Sequence, residues 1–480
     1  MLKKKLERAL QAAKSAGATY ADVRILKRQD ERIAVKDCVL DNLSYGTDAG
    51  FGIRVIADGA WGFSSSSIIS DSEIDKVAEE AVAIAKASAL VAHNPVKLAD
   101  IEVHKDDVPA GIKDDPRNIP IADRVKFALE VDKTMAKQGI VSHSANLFNR
   151  WEEKYFASSE GAEIRQEDVK VGAGITAFAS DGKGFAKRSY PASFGGVYSR
   201  DGWSYVEKYK LVENGSRIAD EALQVLKAKP CPKGKKDIVI EGSQLALQVH
   251  ESIGHPVELD RVFGTEAAYA GKSFVKPEMM NNFRYGSDIV NITADATIPH
   301  AYGGFAYDDE GIKAKRVHII KDGIFKGFLD SREDAALLGT VPMGAGRASS
   351  WNRIPIVRMV SVNLEPGDKN FDELIAGIDD GLYISTVLSW SIDDLRLNFQ
   401  FTTELGWEIK NGKLGEMVQR PTYTGISYEF WRSCDAIGNK DLWTVWGVPN
   451  CGKGEPMQLM HVSHGTSPAR FRQVEVGVGS

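Results

Sequence analysis

Two histidines five residues apart, with a glutamate beside the first, are the part of this chain best suited to chemistry: His250-Glu251-Ser252-Ile253-Gly254-His255. Two imidazoles on one cation make a borderline-soft site that favours zinc. A catalytic zinc keeps an open position for water and lowers the pKa of that water to about 7. A carboxylate alongside takes the proton and passes it to a leaving amine. Glu251 stands where that base belongs. The spacing is unusual, however. In the common H-E-x-x-H motif the histidines lie about 40° apart around a helix, one turn up. Five residues place them about 140° apart on a regular helix. Gly254 permits a left-handed turn at a helix end, and Pro256 disfavours helical geometry at His255. The expectation is therefore a helix capped by Ser243 that stops at Ile253 or Gly254, with His255 swinging back from the residues that leave it. Leu245, Val249 and Ile253, four residues apart, should face the core.

A catalytic zinc needs a third protein ligand. Near the C-terminus stands Gly447-Val-Pro-Asn-Cys-Gly-Lys-Gly454, which begins like a phosphate-binding loop. It lacks the Ser or Thr after the lysine, Pro449 removes a backbone donor, and no helix pattern follows, so nucleotide binding is rejected. Cys451 lies on this glycine-rich loop between Pro449 and Pro456 rather than on an apolar face, which suits a metal ligand. His461 and His464 follow closely and are alternative ligands or transition-state donors. The other cysteines, Cys38, Cys231 and Cys434, form no CxxC pair and read as small buried hydrophobes.

The elements that must position these residues are of two kinds. The chain has 480 residues and predicts two domains, residues 1–230 and 231–480. Leu2, Leu6, Ala9, Leu10 and Ala13 form one face of a first helix ending near Gly17, and charged residues interrupt the run that a signal peptide would need. Strands follow over Tyr20–Ile56, with turns expected at Tyr45–Gly52 and Asp58–Gly59. Ser70 with Glu73 starts a second helix and Pro120 a third, which ends near Gly139. More strands run from Ile140 to Tyr198. Lys227–Lys236, rich in Pro and Lys, is the linker candidate. After the metal helix the chain is mostly strand and turn, with a hairpin signal at Asn411-Gly412. The fold class is α+β: an N-terminal α/β domain with antiparallel strands and flanking helices, then a β-rich barrel or sandwich that carries the metal helix. Net charge is −6 and no basic run suits nucleic acid. No stretch is long and apolar enough to span a membrane, so the cytoplasm is the expected location.

Several segments together resemble the TldD/PmbA peptidases, on the TldD side. They are Gly50-Phe-Gly-Ile-Arg54, Gly59-Ala-Trp-Gly-Phe63, the motif at His250, Asp308-Asp309-Glu310-Gly311, Gly344-Ala-Gly-Arg347 with Pro355 and Arg358-Met359, and Asn450-Cys451-Gly452-Lys453. The resemblance implies a zinc metallopeptidase with His250, His255 and Cys451 as ligands and Glu251 as catalytic base. It also implies action on unfolded peptides or leader sequences, as a homodimer or as a heterodimer with a PmbA-type subunit. Such a peptidase should hold peptide backbone by strand addition, with Tyr302–Phe305 or Gly344–Gly346 as candidate edges. Two other readings remain: a non-catalytic peptide-binding subunit with a structural zinc, and hydrolysis of a non-peptide amide by the same metal chemistry.

Overall fold

The computed structural model describes residues 2–266 and 271–477. Its first large sheet runs Ala60–Ser66, Val39–Ala57, Tyr20–Lys36, Ile140–Ser158, Glu163–Ser180 and Lys105–Val108, with Phe185–Tyr190 and Val197–Ser199 also paired to Glu163–Ser180. Side chains alternate between the two faces of a strand. The odd-numbered Val23, Ile25, Ile33 and Val35 therefore share one face. Helices Leu2–Ala16 and Asp71–Ala89 cover one end of it, and Ile121–Lys133 and Leu211–Lys227 the other. The even-numbered Asp22, Arg24 and Arg28 point to the opposite, helix-free face, which packs against the C-terminal half.

In that half five strands close a barrel. Asp380–Ile392 pairs with Gly234–Ile240, which pairs with Ala469–Val476; Thr422–Ile426 and Asn398–Lys410 follow, and the last pairs back onto Asp380–Ile392. Closure leaves no open edge within the ring. The expected β-rich domain is thus a barrel. Its core residues Ile238, Leu382, Phe401 and Phe471 pack in one cluster with Leu245, Val249 and Ile253, each fully buried as their spacing requires. The metal helix leaves directly from the barrel strand that ends at Ile240.

Some local expectations change. Strand Val39–Ala57 runs unbroken through Tyr45–Gly52, and the hairpin turns instead at Asp37 and Cys38, with φ of 51° and 66°. Gly50 and Gly52 serve close approach: a Cβ at Gly50 would lie 2.4 Å from the Trp351 ring, and one at Gly52 would lie 2.3 Å from its carbonyl oxygen. Asp58–Gly59 does turn, and Ser70 accepts the Glu73 N–H as an N-cap. The third helix ends at Lys133. Of the linker, Lys229–Pro230 pairs along Val418–Gln419 and Gly234 already starts a barrel strand. Asn411 and Gly412 form the expected hairpin, with φ of 47° and 71°. Cys231 and Cys434 are buried, but Cys38 is exposed because it sits in a turn.

Candidate metal centre

Helix Gly242–Val249 is buried along its whole length. Its N-cap is Glu241 rather than Ser243: the carboxylate accepts the backbone N–H of Ser243 at 2.8 Å and of Gln244 at 3.4 Å. The helix does not stop at Gly254. It widens into a π turn over His250–Gly254, and the N–H of His255 donates to the carbonyl of His250. That bond spans five residues. It brings positions i and i+5 onto one side of the helix, which resolves the spacing problem without a left-handed residue. Gly254 has φ −57°, and His255, with φ −65° and ψ −41°, stays helical despite Pro256. Gly254 is needed for space instead, since a Cβ there would meet Met359 Sδ at 2.1 Å. Side chains hold the wide turn. Tyr285 O–H donates to the Ser252 carbonyl, and Ser252 Oγ donates to the Gln248 carbonyl while accepting from Trp431 Nε1.

The two histidine rings lie 4.8 Å apart, centroid to centroid, with perpendicular planes. Their protonation follows from their partners. His464 Nδ1 lies 2.8 Å from the Val362 carbonyl, which only accepts, so this nitrogen carries the proton. Burial, then nearby His250, hold His464 well below the usual imidazole range, so it is neutral and its Nε2 accepts. The contact of 2.8 Å from His250 Nδ1 to His464 Nε2 is then a donation by His250, whose Nε2 keeps its lone pair. His255 Nδ1 donates to Glu258 Oε2 at 2.8 Å, which leaves its Nε2 bare as well. Burial lowers the pKa of both His250 and His255 and favours the neutral form that can bind metal.

Cys451 reaches this site on the hairpin of Thr444–Lys453 with Gln458–Thr466. Its Sγ lies 3.7 Å from His255 Nε2. Tetrahedral zinc with bonds of about 2.0 Å to nitrogen and 2.3 Å to sulfur would space that pair by roughly 3.5 Å. One ligand atom from each of His250, His255 and Cys451 falls within a 4.8 Å cluster, so the three side chains fit a metal ion. Burial opposes ionisation of the thiol, but Arg358 and His255 outweigh it and hold Cys451 below the usual thiol range. The false phosphate loop supplies the anchor. Lys453, fully buried, binds both Asp260 oxygens at 2.7 and 2.8 Å and the Val357 carbonyl at 2.6 Å. Glu258 is held well below the carboxylate range: its burial is overcome by Lys453, His255 and Arg261.

Glu251, adjacent to the first ligand, is 6% exposed and binds Arg396 Nη1 through Oε2 at 2.6 Å. Arg396 adopts φ 61°, rare for a side chain of this size, in the loop before Asn398. Nothing in the sequence pointed to it. His464 stands behind His250 as its hydrogen-bond partner. His461 lies elsewhere, stacked on Tyr302 at 4.4 Å. The proposed strand edges are both engaged. Gly303 N–H donates to Ser463 Oγ, and Gly346 pairs with Val357.

Two imidazoles with Nε2 lone pairs, a cysteine whose ionisation is favoured by Arg358 and His255, and a neighbouring glutamate make a metallohydrolase-type centre. The chain matches three successive family models: PmbA/TldA metallopeptidase domain 1 over residues 21–85, the central domain over 114–229 and the C-terminal domain over 233–478. It is 31% identical over 438 residues to a metalloprotease of Methanocaldococcus jannaschii, covering 90% of this chain and 92% of that one. A zinc metalloprotease TldD homolog of Saccharolobus solfataricus is 25% identical over 473 residues, 98% of each chain. TldE from Thermococcus kodakarensis shares the fold, with a TM-score of 0.74 at 16% identity over 98% of this chain and 100% of that one. The chain belongs to the PmbA/TldD metallopeptidase family. No helix among the described residues is long and apolar enough to cross a membrane.

Proposed function

We propose that this chain hydrolyses peptide bonds in unfolded peptides or leader segments, with zinc on His250, His255 and Cys451 and with Glu251 as general base. The observation that carries the reading is the pair of histidines whose Nδ1 atoms are both committed, so that each Nε2 keeps its lone pair, that of His255 lying 3.7 Å from Cys451 Sγ. Bound zinc would supply Lewis acidity toward a peptide carbonyl and acidify water. Glu251 takes the proton at Oε1, since Oε2 is held by Arg396, and delivers it to the amine that leaves. The surrounding apolar core excludes bulk water, which strengthens each of these charges. The resemblance to TldD-type chains supports a dimer, of like chains or with a PmbA-type subunit; the sequence itself suggests work in the cytoplasm and two domains meeting near residue 230.

The burial of all three ligands, each at 3–4% exposure, would also suit a structural zinc in a non-catalytic subunit. Glu251→Gln separates the two readings. The variant should bind zinc as the wild type does and lose cleavage of an unfolded peptide by at least about 100-fold. Undiminished cleavage would remove Glu251 as the base. Zinc without any cleavage by the purified wild-type chain would favour the structural reading or a missing partner subunit.

A further inference from the structure

The helix-free face of the first sheet carries charges that the metal chemistry does not use. On three neighbouring strands, alternate residues point the same way: Arg24 and Arg28, then Arg150, Glu152 and Lys154, then Asp168 and Lys170. The register sets Arg28 opposite Glu152 and Glu152 opposite Asp168. Asp308, Asp309, Arg347, Met460 and His461 face them from the C-terminal half, and a cavity of about 80 Å³ lies between. That is room for a few waters or one small polar group.

The lining is electropositive. Six Arg and Lys side chains face four carboxylates. Internal pairs absorb part of this charge: Arg28 with Glu152, Lys154 with Asp309, and Lys170 with Asp168, which Arg200 shares. Arg150 turns to Asp30. Asp308 is pushed toward its neutral form by burial and by Glu310. His461 is held well below the imidazole range by burial and by Lys170 and Arg150. Most telling is Arg24. It is 3% exposed; its Nη2 donates to the Arg353 carbonyl and its Nη1 lies 4.0 Å from Asp309, but its Nε has no hydrogen-bond acceptor among the described residues. Buried donors are rarely left so, and an anionic oxygen is the partner a guanidinium fork takes best.

The cavity adjoins the metal centre. Met460 is the cross-strand partner of Cys451. Arg347 donates to the carbonyl of Met359, the residue that packs on Gly254 between the two histidines.

We propose that this cavity holds a carboxylate of the peptide substrate, either its C-terminus or an acidic side chain, and so fixes which segment reaches the metal. The inference rests on the peptidase reading above. The test uses one unstructured peptide in three forms on the zinc-loaded full chain: the free acid with a single internal glutamate, its C-terminal amide, and the free acid with that glutamate replaced by glutamine. The form that has lost the bound carboxylate should show KM raised about tenfold with kcat little changed. A rise in the amide assigns the C-terminus, and a rise in the glutamine peptide assigns the side chain. Lys170→Met should shrink the difference between the forms, an effect that loss of stability alone would not give. KM values alike within about threefold for all three peptides overturn the proposal. If the wild-type chain cleaves none of them, the fault lies with the peptidase reading or with a missing partner subunit, not with the cavity. Calorimetric binding of the same peptides then decides: tighter binding of the carboxylate form supports the cavity, and equal or absent binding overturns it.

Discussion

Two clusters in this molecule bring together a cysteine, a histidine and an acidic side chain, and they differ in which atoms remain uncommitted. At the hairpin tip, Cys38, Asp132 and His143 offer ligand atoms within the same 4.8 Å limit as the metal centre. Asp132 Oδ2 accepts the Cys38 backbone N–H at 2.7 Å, and Oδ1 binds His143 Nδ1 at 2.9 Å. Both oxygens serve the turn, and Cys38 itself is exposed. At the metal centre the carboxylate of Glu258 plays the corresponding role, but there it stands behind the ligand. It fixes His255 so that Nε2 faces Cys451, as His464 fixes His250. The comparison teaches that proximity of ligand residue types is a weak criterion. A metal site also needs outer partners that occupy the wrong atoms and leave the right ones bare.

The contrast can be broken at either end. Cys451→Ala should have the largest effect. It removes one of the three proposed ligands, and zinc content measured by elemental analysis and peptide cleavage should fall together by at least about 100-fold in affinity and rate. Retained stoichiometric zinc would place the third ligand elsewhere. Glu258→Gln should come next. The amide still accepts from His255 but loses the charge that Lys453 and Arg261 face, and zinc affinity in a chelator competition should weaken about 10- to 100-fold. Unchanged affinity would reduce Glu258 to a structural ion-pair partner. Cys38→Ser should do least: zinc content and cleavage should match the wild type, with a stability change within about 0.5 kcal/mol by denaturant titration. A second equivalent of zinc lost in that variant would show that the hairpin cluster binds metal after all.

Much of the site was legible because its donors are local. His250, Glu251 and His255 share one turn, and the glycines and prolines around Cys451 set it apart from an ordinary core cysteine, although the expected loop is a strand of a buried hairpin. The turn that joins the histidines was not legible. Gly254 and Pro256 carry the grammar of a helix end, yet the ladder shifts to a five-residue bond because Tyr285 and Trp431 occupy the polar groups of Ser252. Those partners are tertiary, and no local pattern encodes them. The same holds for Arg396, which reaches Glu251 from 145 residues away. Glycines misled twice in the same manner. Gly50 and Gly52 looked like turn residues and proved to be gaps into which Trp351 fits. The charged face of the first sheet was open to period-two reading in Arg24 and Arg28 and again in Arg150, Glu152 and Lys154. It was missed because charge on a strand ordinarily means solvent, and here it means the C-terminal half of the chain packed on that face.

Lys453 has a consequence for timing. It locks the Cys451 hairpin to Asp260, and Cys451 stands 196 residues beyond His255 in the chain. A partly made or partly folded chain therefore carries the two histidines and the glutamate without the thiolate. The full set of ligands exists only once the C-terminal hairpin has docked, the lysine is buried and the barrel is closed. A metallopeptidase whose metal needs all three side chains is thereby kept without its site while it is itself unfolded.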